Sequence, residues 1–192
     1  MTIRSVFKLL FTSVIFLVAS GALIEARAEA GKPPLILSKN KIGPIILNGN
    51  TTLDLKKLRT AFTNFSVTQK TGQQDGPDFI YYDISDNQGE LFWIKMQVEN
   101  MEKIDSIHVT SPKIHDQYGL RVGSAYREVI HIRPRLIVET DDRFHTYVGH
   151  SAENIAYELV VPYSGNYQGP DRKPTKQEVA RGRVKKLLWF PR

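Results

Sequence analysis

Four side chains close together in the sequence have the chemistry of metal ligands: Asp141, Asp142, His145 and His150. A catalytic zinc site needs three such protein ligands, carboxylate or imidazole, that converge on one point. The spacing predicts a turn at Asp141 and Asp142, a strand that begins near His145, and His150 just beyond its end. Adjacent aspartates are also common in ordinary turns. A small hydrolase or metal-dependent enzyme built on Asp141, His145 and His150 is therefore the alternative interpretation, and we expect no metal or other cofactor.

Other catalytic patterns give no stronger signal. Gly123-Ser124 precedes a predicted helix, where serine commonly caps backbone N–H groups, and the sequence has no Gly-x-Ser-x-Gly elbow. Glu139 and Glu158 fall on predicted strands, but their spacing does not place them across a cleft as glycoside hydrolysis requires. The chain has no cysteine, which excludes a thiolate nucleophile and a disulfide framework. We therefore expect a protein without catalytic activity.

The positive charge is concentrated at the C-terminal end. Residues 171–192 hold eight basic and two acidic residues, while the whole chain has a net charge of +6. Such an end can face an anionic surface or polymer, or it can be a solvated strand. The preceding loop carries two tyrosines around Ser-Gly-Asn, and aromatic side chains in loops suit the binding of partners. The candidate interaction surface consists of Tyr163, Tyr167, Arg181, Arg183, Lys185 and Lys186.

Aromatic residues elsewhere allow two interpretations. They could form a surface on which a ligand stacks, or they could fill the core wherever strand alternation turns them inward, and the second interpretation is favoured. The residues concerned are Phe79, Tyr81, Phe92, Trp93, Tyr147, Tyr157 and Trp189.

The first thirty residues have the three parts of a secretory signal peptide. A basic start at Arg4 and Lys8 precedes an apolar run over 9–24, followed by two Ala-x-Ala sites. We expect residues 1–28 to be removed, with cleavage after Ala30 as the alternative. An uncleaved anchor is disfavoured because a spanning helix needs about 20 apolar residues. The sequence therefore predicts a periplasmic or secreted protein.

Short apolar and β-branched runs separated by turn residues predict antiparallel strands in the rest of the chain, and residues 104–110 alternate with period two. Residues 79–84 and 91–98 are predicted to form a hairpin, and short helices are predicted over 51–62 and 124–130. Thr51 with Asp54 resembles an acidic capping box. Residues 29–41 are predicted to be a loose lead-in and 42–192 a single globular domain. The expected fold class is α+β, mainly antiparallel sheet with two short helices, and the similar order of elements in each half suggests an internal duplication of a strand–helix–strands unit. The remaining strands are predicted over 42–47, 65–69, 104–110, 136–140, 144–148, 155–161 and 184–190.

Two stretches carry a resemblance to a known family. The first, YELVVPYSGNYQGPDRKPTKQEVARGRVKKLLWFPR, joins an aromatic strand, Ser-Gly, an aromatic before Gly-Pro, and a basic-apolar strand. The second, KIDSIHVTSPKIHDQYGLRVGSAYREV, joins a strand, a turn, a Gly-flanked apolar-basic-apolar segment and a short helix. Together they resemble the YfeY-like family of uncharacterised Gram-negative envelope proteins, which includes a lipoprotein controlled by the envelope-stress sigma factor. The resemblance covers residues 42–192.

The resemblance implies an α+β fold in the cell envelope and no catalytic residue. The lipidated cysteine and the cysteine pair of these relatives are absent here, which implies a soluble periplasmic protein without a membrane anchor. We expect a non-catalytic accessory or interaction module that binds an envelope protein or an anionic envelope polymer. Nucleic acid is not an expected partner, since exported proteins rarely meet it.

Overall fold

A computed structural model describes residues 35–73, 76–164 and 172–192. An eight-stranded antiparallel sheet dominates it. Its strands are β4 (Ser66–Gly72), β5 (Phe79–Asp86), β6 (Gly89–Met96), β7 (Ile104–Val109), β9 (Ile137–Thr140), β10 (Thr146–Gly149), β11 (Ile155–Val160) and β12 (Arg183–Trp189).

The order of strands across this sheet is β4-β5-β6-β7-β12-β11-β10-β9. Each half of the chain is thus a four-stranded meander, and the last strands of the two meanders, β7 and β12, pair antiparallel in the middle. A short helix precedes each meander: α1 (Leu55–Ala61) comes before β4, and α2 (Tyr126–Ile132) comes before β9. This order agrees with the repeated unit suggested by the sequence, and the α+β, mainly antiparallel class is confirmed.

A smaller sheet is built largely from the segment predicted to be a loose lead-in. It has the order β3-β2-β1-β8, from β1 (Ile36–Ser38), β2 (Lys41–Ile42), β3 (Ile45–Ile46) and β8 (His115–Asp116). The lead-in prediction is wrong from residue 36 onward, because Leu37 is fully buried; residues 29–34 lie outside the description. The single strand predicted over 42–47 is also wrong, since the chain turns at Gly43, whose φ is +52°, and Pro44.

The structure has three helices where two were predicted; α1 is shorter than its predicted range, and α2 begins two residues later than predicted. Asp54 caps α1 by accepting a hydrogen bond from the Lys57 backbone N–H at 2.7 Å, so the Thr51–Asp54 capping box is wrong. The Thr51 hydroxyl instead donates to the Ile46 carbonyl. A third helix, α3 (Lys176–Val179), lies in the polar connection before β12 and has a full capping box from Thr175 and Glu178. The sequence signal for this helix is a glutamate three positions after a threonine, the pattern of a capping box.

One hydrophobic core joins both sheets and the helices on a single face of the large sheet. Phe62, which directly follows α1, meets Phe92 of β6 edge to face, with 5.5 Å between ring centroids. The indole of Trp189 is fully buried and donates a hydrogen bond to the Lys39 carbonyl at 2.9 Å, which ties β12 to the small sheet. Among the described residues no helix is long and apolar enough to cross a membrane.

Candidate binding face of the large sheet

The face of the large sheet opposite the core, here called the outer face, carries one continuous cross-strand row. Asp83 of β5 pairs with Trp93, Trp93 with His108, His108 with Leu188, and Leu188 with Ala156. Leu188 is almost fully buried but does not belong to the core cluster. Strand alternation places these side chains together, because directly opposed residues of antiparallel strands share a face.

Four rings follow one another across β5, β6 and β7, and we call them the aromatic ladder: Phe79, Tyr81, Trp93 and His108. Ring centroids are 6.1 Å apart for Phe79 and Tyr81, and 5.6 Å apart for Tyr81 and Trp93. Trp93 and His108 stack with 3.7 Å between centroids and 6° between planes. All four residues are partly exposed. The outer face therefore offers flat apolar rings to a ligand, while Phe92, Tyr157 and Trp189 are in the core as alternation favoured.

His108 is held in its neutral form. Burial, helped by the positive charges of Lys186 and Lys95, lowers the pKa of His108 to about 3. Its Nε2 lies 2.9 Å from the Ser106 hydroxyl. A neutral imidazole can stack on the Trp93 indole as an uncharged ring at physiological pH.

Lysines border the ladder. The ammonium group of Lys95 lies 4.7 Å from the centroid of the Phe79 ring and 3.4 Å from Asp105. Lys70 of the edge strand β4 donates to the buried carboxylate of Asp83 at 2.6 Å. Aromatic rings and ammonium groups thus alternate on this part of the face, an arrangement in which cation–π attraction holds the lysine against the ring.

Lys185 and Lys186 reach the outer face together because β12 has a bulge there. The pairing register shifts between Glu158 and Leu159, so two lysines of β12 stand beside one glutamate of β11. Their ammonium groups lie 2.6 and 3.1 Å from the carboxylate of Glu158, which is only 5% exposed. Burial acts to raise the pKa of Glu158, but the hydrogen bonds from the two lysines outweigh it and lower the pKa. The two lysines are therefore structural partners of a buried acid.

The other predicted surface residues make separate contacts. Tyr163 lies under the guanidinium of Arg172, 5.1 Å from the ring centroid. Arg183 donates to the Gly123 carbonyl at 2.9 Å, next to α2, and Arg181 is exposed. Tyr167 lies outside the described residues. The predicted interaction surface is thus divided: Lys185 and Lys186 pair with Glu158, Arg183 contacts Gly123, and Tyr163 contacts Arg172.

Glu178 is the centre of a buried hydrogen-bond network, here called the Glu178 network, which the sequence did not predict. Its carboxylate is 1% exposed and accepts hydrogen bonds from Ser164, Arg172 and Thr175, in each case from two donor atoms. The Arg172 guanidinium, followed by the Ser164 and Thr175 donors, holds the pKa of Glu178 far below its usual range. The Glu178 network fixes Ser164 and Arg172, which flank residues 165–171, to helix α3.

The metal or hydrolase alternative does not come together in the structure. The Asp141 carboxylate lies 3.1 Å from His145 Nδ1 and also accepts the backbone N–H groups of Arg143 and His145. His150 lies beyond the far end of β10, about 16 Å along an extended chain from His145. Its Nδ1 accepts the Ala152 backbone N–H. Within the described ranges no group of three or more His, Cys, Asp or Glu side chains could hold a metal ion, so this alternative is not favoured.

A buried polar chain links the two sheets. The Tyr157 hydroxyl donates to Asp116 at 2.5 Å and accepts from Arg133 at 2.7 Å, and all three residues are buried. Arg133 also pairs with Glu153 and lies over the ring of Tyr118. Burial raises the pKa of Asp116 and of Tyr157. Because each of these side chains has a partner, their hydrogen bonds fix β8, α2 and β11 to one another.

The fold has a counterpart among solved structures. No family model matches the chain, and no curated protein matches it. The crystal structure of the uncharacterized protein YfeY from Escherichia coli is similar, with a TM-score of 0.60 and 15% sequence identity, over 81% of this chain and 99% of that one. The likeness confirms at the level of fold the resemblance to the YfeY-like family: this chain has the fold of YfeY.

Proposed function

We propose that this chain is an exported, non-catalytic protein of the cell envelope that binds an anionic envelope polysaccharide on the outer face of its large sheet. The aromatic ladder is the observation that carries the proposal. The apolar faces of sugar rings pack on aromatic rings. The ladder provides four aromatic rings, each next to the following one in space: Phe79, Tyr81, Trp93 and His108. A polymer can lie along the row and contact several rings at once.

The charge beside the ladder favours an anionic polymer. Four lysines of the outer face pair with carboxylates there: Lys70 with Asp83, Lys95 with Asp105, and both Lys185 and Lys186 with Glu158. Lys70 and Lys185 each pair with a buried carboxylate, yet their side chains are 45% and 47% exposed. Phosphate or carboxylate groups of a polymer can therefore contact the outward side of the ammonium groups that the buried acids hold in place.

The export part of the proposal rests on residues 1–30, with their basic start, apolar run and Ala-x-Ala sites. The experiment is mass spectrometry of the protein from a periplasmic fraction of cells that express the full chain. A mass that corresponds to cleavage after Ala28 or Ala30 supports export. An intact chain found only in the cytoplasm contradicts it.

Polymer binding is tested with the soluble, phosphorylated core oligosaccharide of lipopolysaccharide, titrated into the protein at low and high salt. We expect binding that weakens with salt and is lost in Trp93→Ala. The control Ile46→Ala removes a side chain that is 68% exposed on the small sheet and should bind as the parent does. Equal binding by Trp93→Ala and the parent protein would contradict the proposal.

A further inference from the structure

Strand β9 ends the large sheet and has an exposed apolar edge. Within the described residues it pairs on one side only, with β10. Ile137 is 50% exposed and Val138 is 38% exposed, although they lie on opposite faces of the strand. A strand edge with unpaired backbone groups and apolar side chains on both faces is a template for an added strand.

The opposite edge of the sheet is protected. Strand β4 exposes Thr68, Gln69, Lys70 and Thr71 and buries its single large apolar residue, Val67. Polar residues and a lysine on an edge oppose pairing with another chain, and β9 has neither lysine nor proline. The contrast between the two edges indicates that β9 is left open while β4 is closed.

A groove of about 360 Å³ lies beside β9 on the outer face. Its lining includes Leu188 and Ala156 from the end of the cross-strand row, Gly149 beside Ala156, and the rings of Tyr147 and Phe190. A Cβ at position 149 would lie 3.0 Å from the Ala156 Cβ, so the glycine keeps this region open. Ile137 and Glu139 belong both to the strand and to the groove.

We propose that an extended segment of a partner protein adds to the large sheet as a strand beside β9. Backbone hydrogen bonds to β9 would supply affinity, and alternate side chains would supply specificity. The segment fits if it has a basic residue opposite Glu139 and apolar residues opposite Val138 and Ile137, since opposed side chains on one face contact each other. The apolar residue opposite Ile137 lies at the groove.

A second copy of this chain fits the same edge poorly. Antiparallel self-pairing centred on Val138 places Glu139 opposite the apolar Ile137 of the other copy. Self-pairing centred on Glu139 places two carboxylates directly opposite each other, which is destabilising. Self-pairing centred on Ile137 would place Glu139 opposite Arg135, but it needs the backbone of the buried Leu136, whose N–H already donates to the Arg133 carbonyl. Charge and apolar pattern therefore favour a basic-apolar segment of a different protein, and the site is separate from the aromatic ladder proposed for polysaccharide.

The test uses a fluorescein-labelled peptide, Thr-Lys-Val-Leu-Val-Thr, with the full chain. Antiparallel to β9, this peptide places lysine opposite Glu139, valine opposite Val138 and leucine opposite Ile137. We expect saturable binding by fluorescence anisotropy, increased amide-exchange protection over 137–140, and no binding of a peptide with proline at both valines. Glu139→Lys should weaken binding about fivefold, and a peptide with glutamate in place of lysine should recover it.

Glu102→Lys is the matched control, since it makes the same charge change at an exposed site in the β6–β7 turn, and it should leave binding unchanged. Equal affinity for the proline peptide, or protection at β4 in place of β9, would overturn the proposal. Sedimentation equilibrium of the protein alone supplies the other test. A dimer that Val138→Lys dissociates would overturn the proposal in favour of self-pairing.

Discussion

Trp93 and His108 occupy directly opposed positions on β6 and β7 and stack nearly parallel, with 3.7 Å between their ring centroids. The stack lies on the outer face, where no helix of the described chain covers it, and Tyr81 extends it to the next strand. Because the imidazole is neutral, the pair presents two flat uncharged rings bordered by lysines. This relationship is the basis of the proposed polysaccharide site.

The neutral state of His108 predicts a pH dependence of stability. Its pKa is about 3 in the folded protein, against about 6.5 when unfolded. The unfolded chain therefore binds the proton more tightly, and the free energy of unfolding should fall as pH drops below 6.5, by up to about 1.4 kcal/mol per pH unit. Urea unfolding of the parent and of His108→Phe between pH 7 and 4 measures the effect.

His108→Phe keeps a ring on Trp93 and should show a shallower loss of stability with acid than the parent. The control, His131→Phe, changes an exposed histidine on α2 and should keep the parental slope. An identical slope in His108→Phe and the parent would contradict a neutral, buried His108.

Removal of both lysines from Glu158 should destabilise the protein. Lys185→Gln with Lys186→Gln leaves a buried carboxylate without its partners, and we expect a loss of about 2 kcal/mol because the lysines themselves are partly exposed. Adding Glu158→Gln to this pair should restore much of the loss. Chemical denaturation of the double and triple variants measures both steps, and a triple variant no more stable than the double one would refute the structural role.

Tyr157→Phe should destabilise by about 2 kcal/mol, since it leaves Asp116 and Arg133 buried without the hydroxyl that joins them. Tyr147→Phe is the matched control: its hydroxyl lies at 3.5 Å from Asp141 on a partly exposed turn. We expect the control to change stability by less than about 0.5 kcal/mol. Similar unfolding midpoints for the two variants would show that the buried polar chain contributes little.

Glu178→Gln should loosen the segments on either side of residues 165–171. An amide supplies one acceptor oxygen where the carboxylate supplies two, so several of the donors from Ser164, Arg172 and Thr175 lose their partner. We expect faster hydrogen exchange at the Ser164 and Thr175 amides and a lower unfolding midpoint. Glu128→Gln, at an exposed position of α2, is the control. Unchanged exchange at both amides would contradict the role of the Glu178 network in holding these segments.

Local pattern predicted the parts of this fold that depend on neighbours in sequence. The β5–β6 hairpin follows from its apolar runs and turn residues, β7 follows from alternation, and α1 follows from its apolar spacing. The small sheet was missed because β1 is stabilised by contacts with β8, which is distant in the chain. The short α3 was missed because its stability comes from Glu178 contacts with Ser164 and Arg172.

The candidate site needed pairing information that sequence alone does not contain. Alternation puts Trp93 and His108 each on a face of its strand, but only the register shows that they are opposed. The bulge that turns Lys185 and Lys186 to the same face also breaks the period-two pattern. The basic residues predicted as one surface therefore have separate environments. Lys185 and Lys186 pair with the buried Glu158, Arg183 contacts Gly123, and Arg181 is exposed.

The most direct test of the polysaccharide site compares the two indole N–H signals by NMR during titration with lipopolysaccharide core oligosaccharide. Trp93 lies in the aromatic ladder, whereas Trp189 is buried and bonded to Lys39, so the molecule contains its own control. We expect a saturable shift of the Trp93 signal while the Trp189 signal stays in place. No shift of Trp93, or equal shifts of both signals, would contradict it.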